Sequence, residues 1–394
     1  MSGGVDSSVA AKVLVDRGCE VLGVTMRLWA AEPPAAEPAR IGERGGLAPA
    51  AEPEGGAQAA SGRARADCGG PAPNEQPAGC GGSEDAEDAA RIARRLGIPH
   101  KAVGCEVAFE RDVVEPFCRA YLEGKTPNPC VECNRRLKFG ALQRLRGELG
   151  FDYVATGHYA RCVWSGERGR YLLLRGADAS KDQSYFLYHL GQDALAHTLF
   201  PVGERTKAEI REAARACGLE VADKPESQDI CFVEDGDYAA FIERRLGRPL
   251  APGPIRNARG EVLGTHAGLA RYTIGQRKGL GVAYREPLFV LAKDPAENAL
   301  VVGTAAEQGV REIWADDVNL IAVDDLSEYA EVQVKAMYRQ RPAAARARVE
   351  RGEGGRAVLH AVLDEPIRAC APGQALVAYD GDVVVGGGTI VRAR

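Results

Sequence analysis

Residues 1–11 read MSGGVDSSVAA. Two glycines, one acid and the hydroxyls of Ser2, Ser7 and Ser8 leave nothing bulky to bury, so the stretch is poor core material and suited to an anion. Gly3 and Gly4 let backbone N–H groups approach such a guest, and the apolar spacing of SSVAAKVLVDRGCE (7–20) predicts a helix whose positive end faces it. A Walker loop needs a Gly-Lys-Ser/Thr ending, which is missing; the pattern is SGGxDS, in which Asp6 is left to help hold Mg²⁺. Donors grouped around a diphosphate at a helix start suit a leaving pyrophosphate, and therefore adenylation by ATP, better than transfer of a terminal phosphate. A loop of this kind ordinarily follows a core strand, yet no residue precedes Met1. The reading expects either a start further upstream or a sheet with an unfilled edge.

Outward from the loop, VLGVTMRLW (21–29) reads as a buried strand. SEDAEDAARIARRLGIPH (83–100) reads as a helix capped by Ser83, acidic in its first turn and basic in its last. FERDVVEPFCRAYLEG (109–124) and RRLKFGALQRLRGELG (135–150) continue the helices, and YVATGHYA (153–160) supplies another strand. Strands alternating with amphipathic helices predict a multidomain α/β protein whose first unit, 1–201, is a doubly wound parallel sheet. Within it, 30–82 is so rich in Ala, Pro, Gly, Glu and Arg that it cannot offset its ordering entropy and is expected to be disordered. A mixed central unit, 202–309, contains the helices TKAEIREAARACG (206–218) and DYAAFIERRLG (237–247). The last unit, 310–394, has strand-like runs such as AEVQVKAMY (330–338) and DVVVGGGTIV (382–391), which predict a small β-barrel or sandwich.

The whole chain of 394 residues is 45% hydrophobic and 27% charged, a globular composition. It shows neither a secretory signal nor a run long enough to span a membrane, so no membrane and a cytoplasmic location are expected, as a monomer. Eleven cysteines without small-domain spacing argue for a reducing compartment rather than a disulfide scaffold. A net charge of −5 disfavours indiscriminate nucleic-acid binding, but NRRLKFGALQRLR (134–146) and YRQRPAAARARVER (338–351) are locally basic and suited to phosphates.

Two thiols stand out. In TPNPCVECNRRLKFG (126–140), prolines fix an extended approach to Cys133, placed at a helix start beside Arg135, Arg136 and Lys138, where the thiolate is favoured. Its polar, proline-rich flanks argue against core packing. Cys231 in KPESQDICF (224–232) lies beside acids and hydroxyls, and a second thiol suggests persulfide transfer closed by a disulfide. Cys130, Cys133 and Cys231 together also offer three thiolates for an iron–sulfur cluster or zinc.

With ATGHYA (155–160), KDQSYFL (181–187) and YTIGQRKGLG (272–281) in the same order, these motifs make the chain resemble the tRNA-specific 2-thiouridylase family over all but the 30–82 insertion. The resemblance implies an ATP-pyrophosphatase domain, a central tRNA-binding domain and a C-terminal β-barrel acting on a wobble uridine. It implies Cys133 as nucleophile, Cys231 as carrier of a persulfide from an upstream sulfur-donor protein, and Asp6 at Mg²⁺. It further places Ser2, Gly3, Gly4, Val5, Asp6, Ser7 and Ser8 around the phosphates, with Met26 and Gly157 at the adenine nucleotide. Asn128, Pro129, Cys130, His158, Lys181, Asp182, Gln183, Tyr338 and Gln374 resemble tRNA-contacting positions. The base must leave its stack to be reached, so a flipped uridine is expected. Two other readings stand beside this one: a small-molecule ligase using the same loop, and a tRNA-binding sulfur relay without ATP chemistry.

Overall fold

The computed structural model describes residues 1–29, 82–224, 230–233, 236–328 and 330–394. The expectation of disorder at 30–82 therefore falls, Gly82 apart, outside the described residues. The opening helix runs Val5–Asp16 from Gly4, and Gly3 takes the left-handed conformation (φ +68°) that the tight entry requires. The strand Gly23–Arg27 follows and pairs in parallel with His100–Gly104, Met26 opposite Val103. Between them lies the helix Ser83–Leu96, with Glu84 and Asp85 in its first turn and Arg94 and Arg95 in its last. Its cap is Gly82, one residue before the serine expected there.

The stretch 153–160 is not one strand. Val154–Ala155 pairs in parallel with Thr198–Leu199, and the chain then leaves the ladder before Ala160–Ser165 begins a hairpin with Arg170–Arg175. The break has a steric cause: Gly157 passes so close to the opening loop that the backbone there follows the loop rather than a neighbouring strand. Among the described residues, the α/β unit thus shows its parallel strands as two pairs, with residues 1–2 beside the first. Thr25 Oγ1 donates to the Met1 carbonyl at 2.7 Å, and the buried Met1 amino group donates to the Val24 carbonyl.

The middle of the chain forms a sheet in the order Val262–His266, Gly253–Asn257, Ala299–Gly303, Phe289–Asp294, over a core of Ile255, Val290, Leu300 and Val302. Further on, Val310–Leu320, Ala357–Ile367, Ala343–Arg351, Ala330–Lys335, Ala375–Asp380 and Val383–Ala393 pair in that order, and the last returns to the first to close a barrel. Alternation fills it: Ala345 and Ala347 point in while Arg346 points out, so part of the basic run 338–351 is a barrel strand that carries its arginine on the outer face.

Barrel and α/β unit are joined in ways that bear on the site. Val383 pairs with Leu174 of the hairpin, and Asn319 Nδ2 donates to the carbonyls of Tyr188 and Leu190 at 2.7 and 3.1 Å. Thr126 N–H donates to the Pro372 carbonyl at 2.8 Å, while Gln374 Nε2 donates to the Thr126 carbonyl at 2.7 Å. The segment leading to Cys133 is therefore held from the barrel.

Candidate active site

At the opening loop, the hydroxyls do less for a ligand than the sequence suggests. Ser7 Oγ and Ser8 Oγ both donate to the Gly4 carbonyl, at 3.1 and 2.7 Å, and Ser8 is fully buried. Ser2 N–H donates to Ser7 Oγ at 3.1 Å. The serines shape the loop, and the anion-binding capacity lies in the N–H groups at the helix start, which have no acceptor within the helix. Gly157 seals the arrangement: a Cβ there would lie 2.6 Å from Ser7 N and 2.7 Å from Asp6 C.

Asp6, second residue of that helix, is tied by groups the sequence did not single out. Lys207 Nζ donates to both carboxylate oxygens at 2.8 Å, and the Tyr159 hydroxyl donates to Oδ1 at 2.8 Å. Lys207 opens the helix Lys207–Ala216, fixed by a reciprocal Thr206–Glu209 cap. That TKAE cap was legible as a helix start; nothing in its spacing said that its lysine reaches Asp6. A carboxylate is the kind of ligand a divalent cation takes, and in this structure the Lys207 ammonium holds both of its oxygens. The open helix end, the Gly157 approach and Lys207 fit the phosphates of ATP.

Cys133 is placed differently from the expectation. The helix begins at Pro129, capped by Asn128, whose Oδ1 accepts from Cys130 N–H at 3.2 Å. Cys133 is the fifth and last residue of that helix, and the chain continues into the π-helical Asn134–Ala141, so the thiol lies beyond the first turn, where the dipole acts most strongly. The neighbouring cations are engaged elsewhere: Arg135 pairs with Asp317 of the barrel, and Arg136 reaches Glu132 at 3.4 Å. Contrary to what its polar flanks suggested, Cys133 is core, 8% exposed, packed with Phe109, Phe117 and Leu137.

Both thiols belong to that cluster, Cys133 inside it and Cys231 packed against it, as Met26 is. Phe232 anchors the Cys231 segment, set edge-on to Phe109 at 5.6 Å and Phe117 at 5.2 Å. Cys105, overlooked in the sequence, joins the same core; burial pushes its thiol up, with Glu106 and Cys133 adding to the shift. Cys130, by contrast, is exposed. Among the described residues no three His, Cys, Asp or Glu side chains assemble to hold a metal, so the sulfurs do not form the expected ligand set for a cluster or zinc.

The remaining positions serve the fold visibly. His158 is half-buried between Phe139 and Phe200, with Nδ1 2.9 Å from Thr156 Oγ1; burial, then the charge of Lys138, holds its pKa well below the ordinary value. Asp182 Oδ1 accepts from Gly176 and Ser184 N–H at 3.2 and 3.0 Å, so the carboxylate ties the entry of the turn Ser184–Leu187 to Gly176. Gln183 Oε1 accepts from Tyr159 N–H at 3.0 Å and thereby holds the residue that holds Asp6. Lys181 is half-exposed beside them. Tyr338 packs on Phe186 at 4.4 Å, and Gln374 has the Thr126 contact described above.

Fold and site together define a HUP-domain enzyme joined to a C-terminal β-barrel. A family model described as the tRNA methyl transferase HUP domain matches residues 1–44 and 70–235. The tRNA methyl transferase PRC-barrel domain matches 239–304, and the aminomethyltransferase beta-barrel domain matches 310–390. The tRNA-specific 2-thiouridylase MnmA of Moorella thermoacetica is 47% identical over 99% of this chain and 98% of its own. Those of Carboxydothermus hydrogenoformans and Heliobacterium modesticaldum are 43% and 44% identical over 100% of this chain, covering 96% and 91% of theirs. The chain belongs to the tRNA-specific 2-thiouridylase family.

Proposed function

We propose that this enzyme thiolates the 2-position of a wobble uridine in tRNA, with ATP as activator and a persulfide as sulfur source. The uracil 2-oxygen attacks the α-phosphorus and pyrophosphate leaves, making an otherwise inert carbonyl oxygen a leaving group. The terminal sulfur of a Cys231 persulfide attacks C2 and AMP departs. The Cys133 thiolate then attacks the inner sulfur, releasing 2-thiouridine and closing a Cys133–Cys231 disulfide that a thiol reductant reopens. Mg²⁺, when bound, would neutralise the phosphates beside Asp6.

The observation that carries this reading is the shared core of Cys133 and Cys231, with Met26 of the first parallel strand against it. In this reading 1–201 activates the base and supplies Cys133, 202–309 grips tRNA and brings Cys231, and 310–394 supports the anticodon side. The residues at 128–130, 158, 181–183, 338 and 374 line its path. An upstream protein delivers the persulfide to a monomer working in the cytoplasm. No helix among the described residues is long and apolar enough to cross a membrane. Neither a small-molecule ligase nor a relay without ATP chemistry is favoured, because the full-length relatives are tRNA-specific 2-thiouridylases.

Mass spectrometry of tRNA incubated with enzyme, ATP, Mg²⁺ and a persulfide source tests it: one sulfur replaces one oxygen at the wobble uridine, and an unchanged nucleoside would defeat the reading. In the same assay Cys130→Ser keeps turnover within about twofold, since an exposed cysteine outside the thiol core has no step to perform. A loss as complete as that of Cys133→Ser would instead give Cys130 an essential part in the reaction, and a metal assay of the purified enzyme would say whether that part is as a ligand.

A further inference from the structure

We propose that Lys207 is a phosphate ligand that changes partner: it leaves Asp6 for the β–γ end of ATP, and in doing so frees the carboxylate for the cation that accompanies the nucleotide. The inference rests on the ATP-dependent reading above and adds to it a residue and a sequence of events. Asp6 is an anion set in the first turn of the helix whose open end receives another anion. Without a countercharge it would repel the phosphates it borders. Lys207 supplies that charge, with Nζ at 2.8 Å from each oxygen and a side chain only 10% exposed, where screening is weak.

The root of the lysine is fixed through its main chain, whereas its tip is held through the ammonium's bonds to Asp6. The Thr206–Glu209 cap holds the helix start, and Lys207 N–H donates to Asp178 Oδ2 at 3.0 Å. Beyond that root a flexible four-carbon stem carries the ammonium. A triphosphate offers more charge than one carboxylate, so the ammonium follows it. Asp6 does not swing away when this happens, because the Tyr159 hydroxyl, 2.8 Å from Oδ1, keeps hold of it and Tyr159 is itself held through Gln183.

Calorimetric titration with ATP and with AMP, in EDTA and in Mg²⁺ and without tRNA, tests the exchange. Lys207→Met weakens ATP binding at least about tenfold and AMP binding by less than about twofold, since AMP lacks the receiving phosphates. In EDTA, Asp6→Asn tightens ATP binding several-fold, because the ammonium no longer has to be taken from a carboxylate. That gain disappears when Lys207→Met is added. Equal weakening of ATP and AMP by Lys207→Met, or weaker ATP binding by Asp6→Asn in EDTA, would overturn the exchange and leave the thiolation reading standing. Were Lys207→Met to unfold, the Asp6→Asn result alone decides. Failure of the unaltered enzyme to bind ATP at all would overturn both.

Discussion

Cys133→Ser and Cys231→Ser each lower tRNA thiolation by about a thousandfold or more, while both variants still release pyrophosphate from ATP when tRNA is added. The separation follows from where the two chemistries lie. The helix after the opening loop packs through Val5, Val9 and Val13 with Ile92, Tyr159 and Ile210. The thiols lie in another core, with Phe109, Phe117 and Phe232. Exchanging one sulfur for an oxygen in the second core leaves the first intact, so adenylation proceeds and stops at the activated base. Quantifying 2-thiouridine and pyrophosphate in the same reaction checks this. Thiolation within tenfold of normal in either variant would remove that cysteine from the sulfur route.

The second large effect is expected at a residue with no chemistry of its own. Gly157→Ala weakens ATP binding about a hundredfold, because a methyl group 2.6 Å from Ser7 N and 2.7 Å from Asp6 C forces the loop backbone aside. Both contacts are main chain, so no side-chain rotation relieves them. Gly166→Ala, whose added carbon meets nothing within 4 Å, is the matched control and leaves binding unchanged. ATP titration with a thermal melt of each variant separates a distorted loop from a destabilised fold. Normal ATP affinity in Gly157→Ala would place the nucleotide elsewhere.

Local signals carried much of this molecule. The spacing of 7–20 announced the Val5–Asp16 helix, and the acidic-to-basic gradient of 83–96 announced Ser83–Leu96. The barrel runs near 330 and 383 were legible as strands because small and branched residues alternate or cluster between turn residues. The strand Ala343–Arg351 was obscured by its arginines, which face outward from an alanine-lined interior. What composition could not reveal were pairings across long separations. Lys207 meets Asp6 from 201 residues away, and Arg135 meets Asp317 from 182. Burial of Cys133 was hidden for a related reason, since its flanks are polar but its cover comes from Phe109, Phe117 and Phe232.

The hydrogen bonds from Thr126 to Pro372 and from Gln374 to Thr126 have a consequence for protein dissection. A fragment ending before the barrel would lose more than surface for RNA. It would release the lead-in to the Cys133 helix from its mooring, together with the Arg135 anchor on Asp317. Such a fragment, even if soluble, would leave the Cys133 sulfhydryl without the barrel-side tether that sets its position.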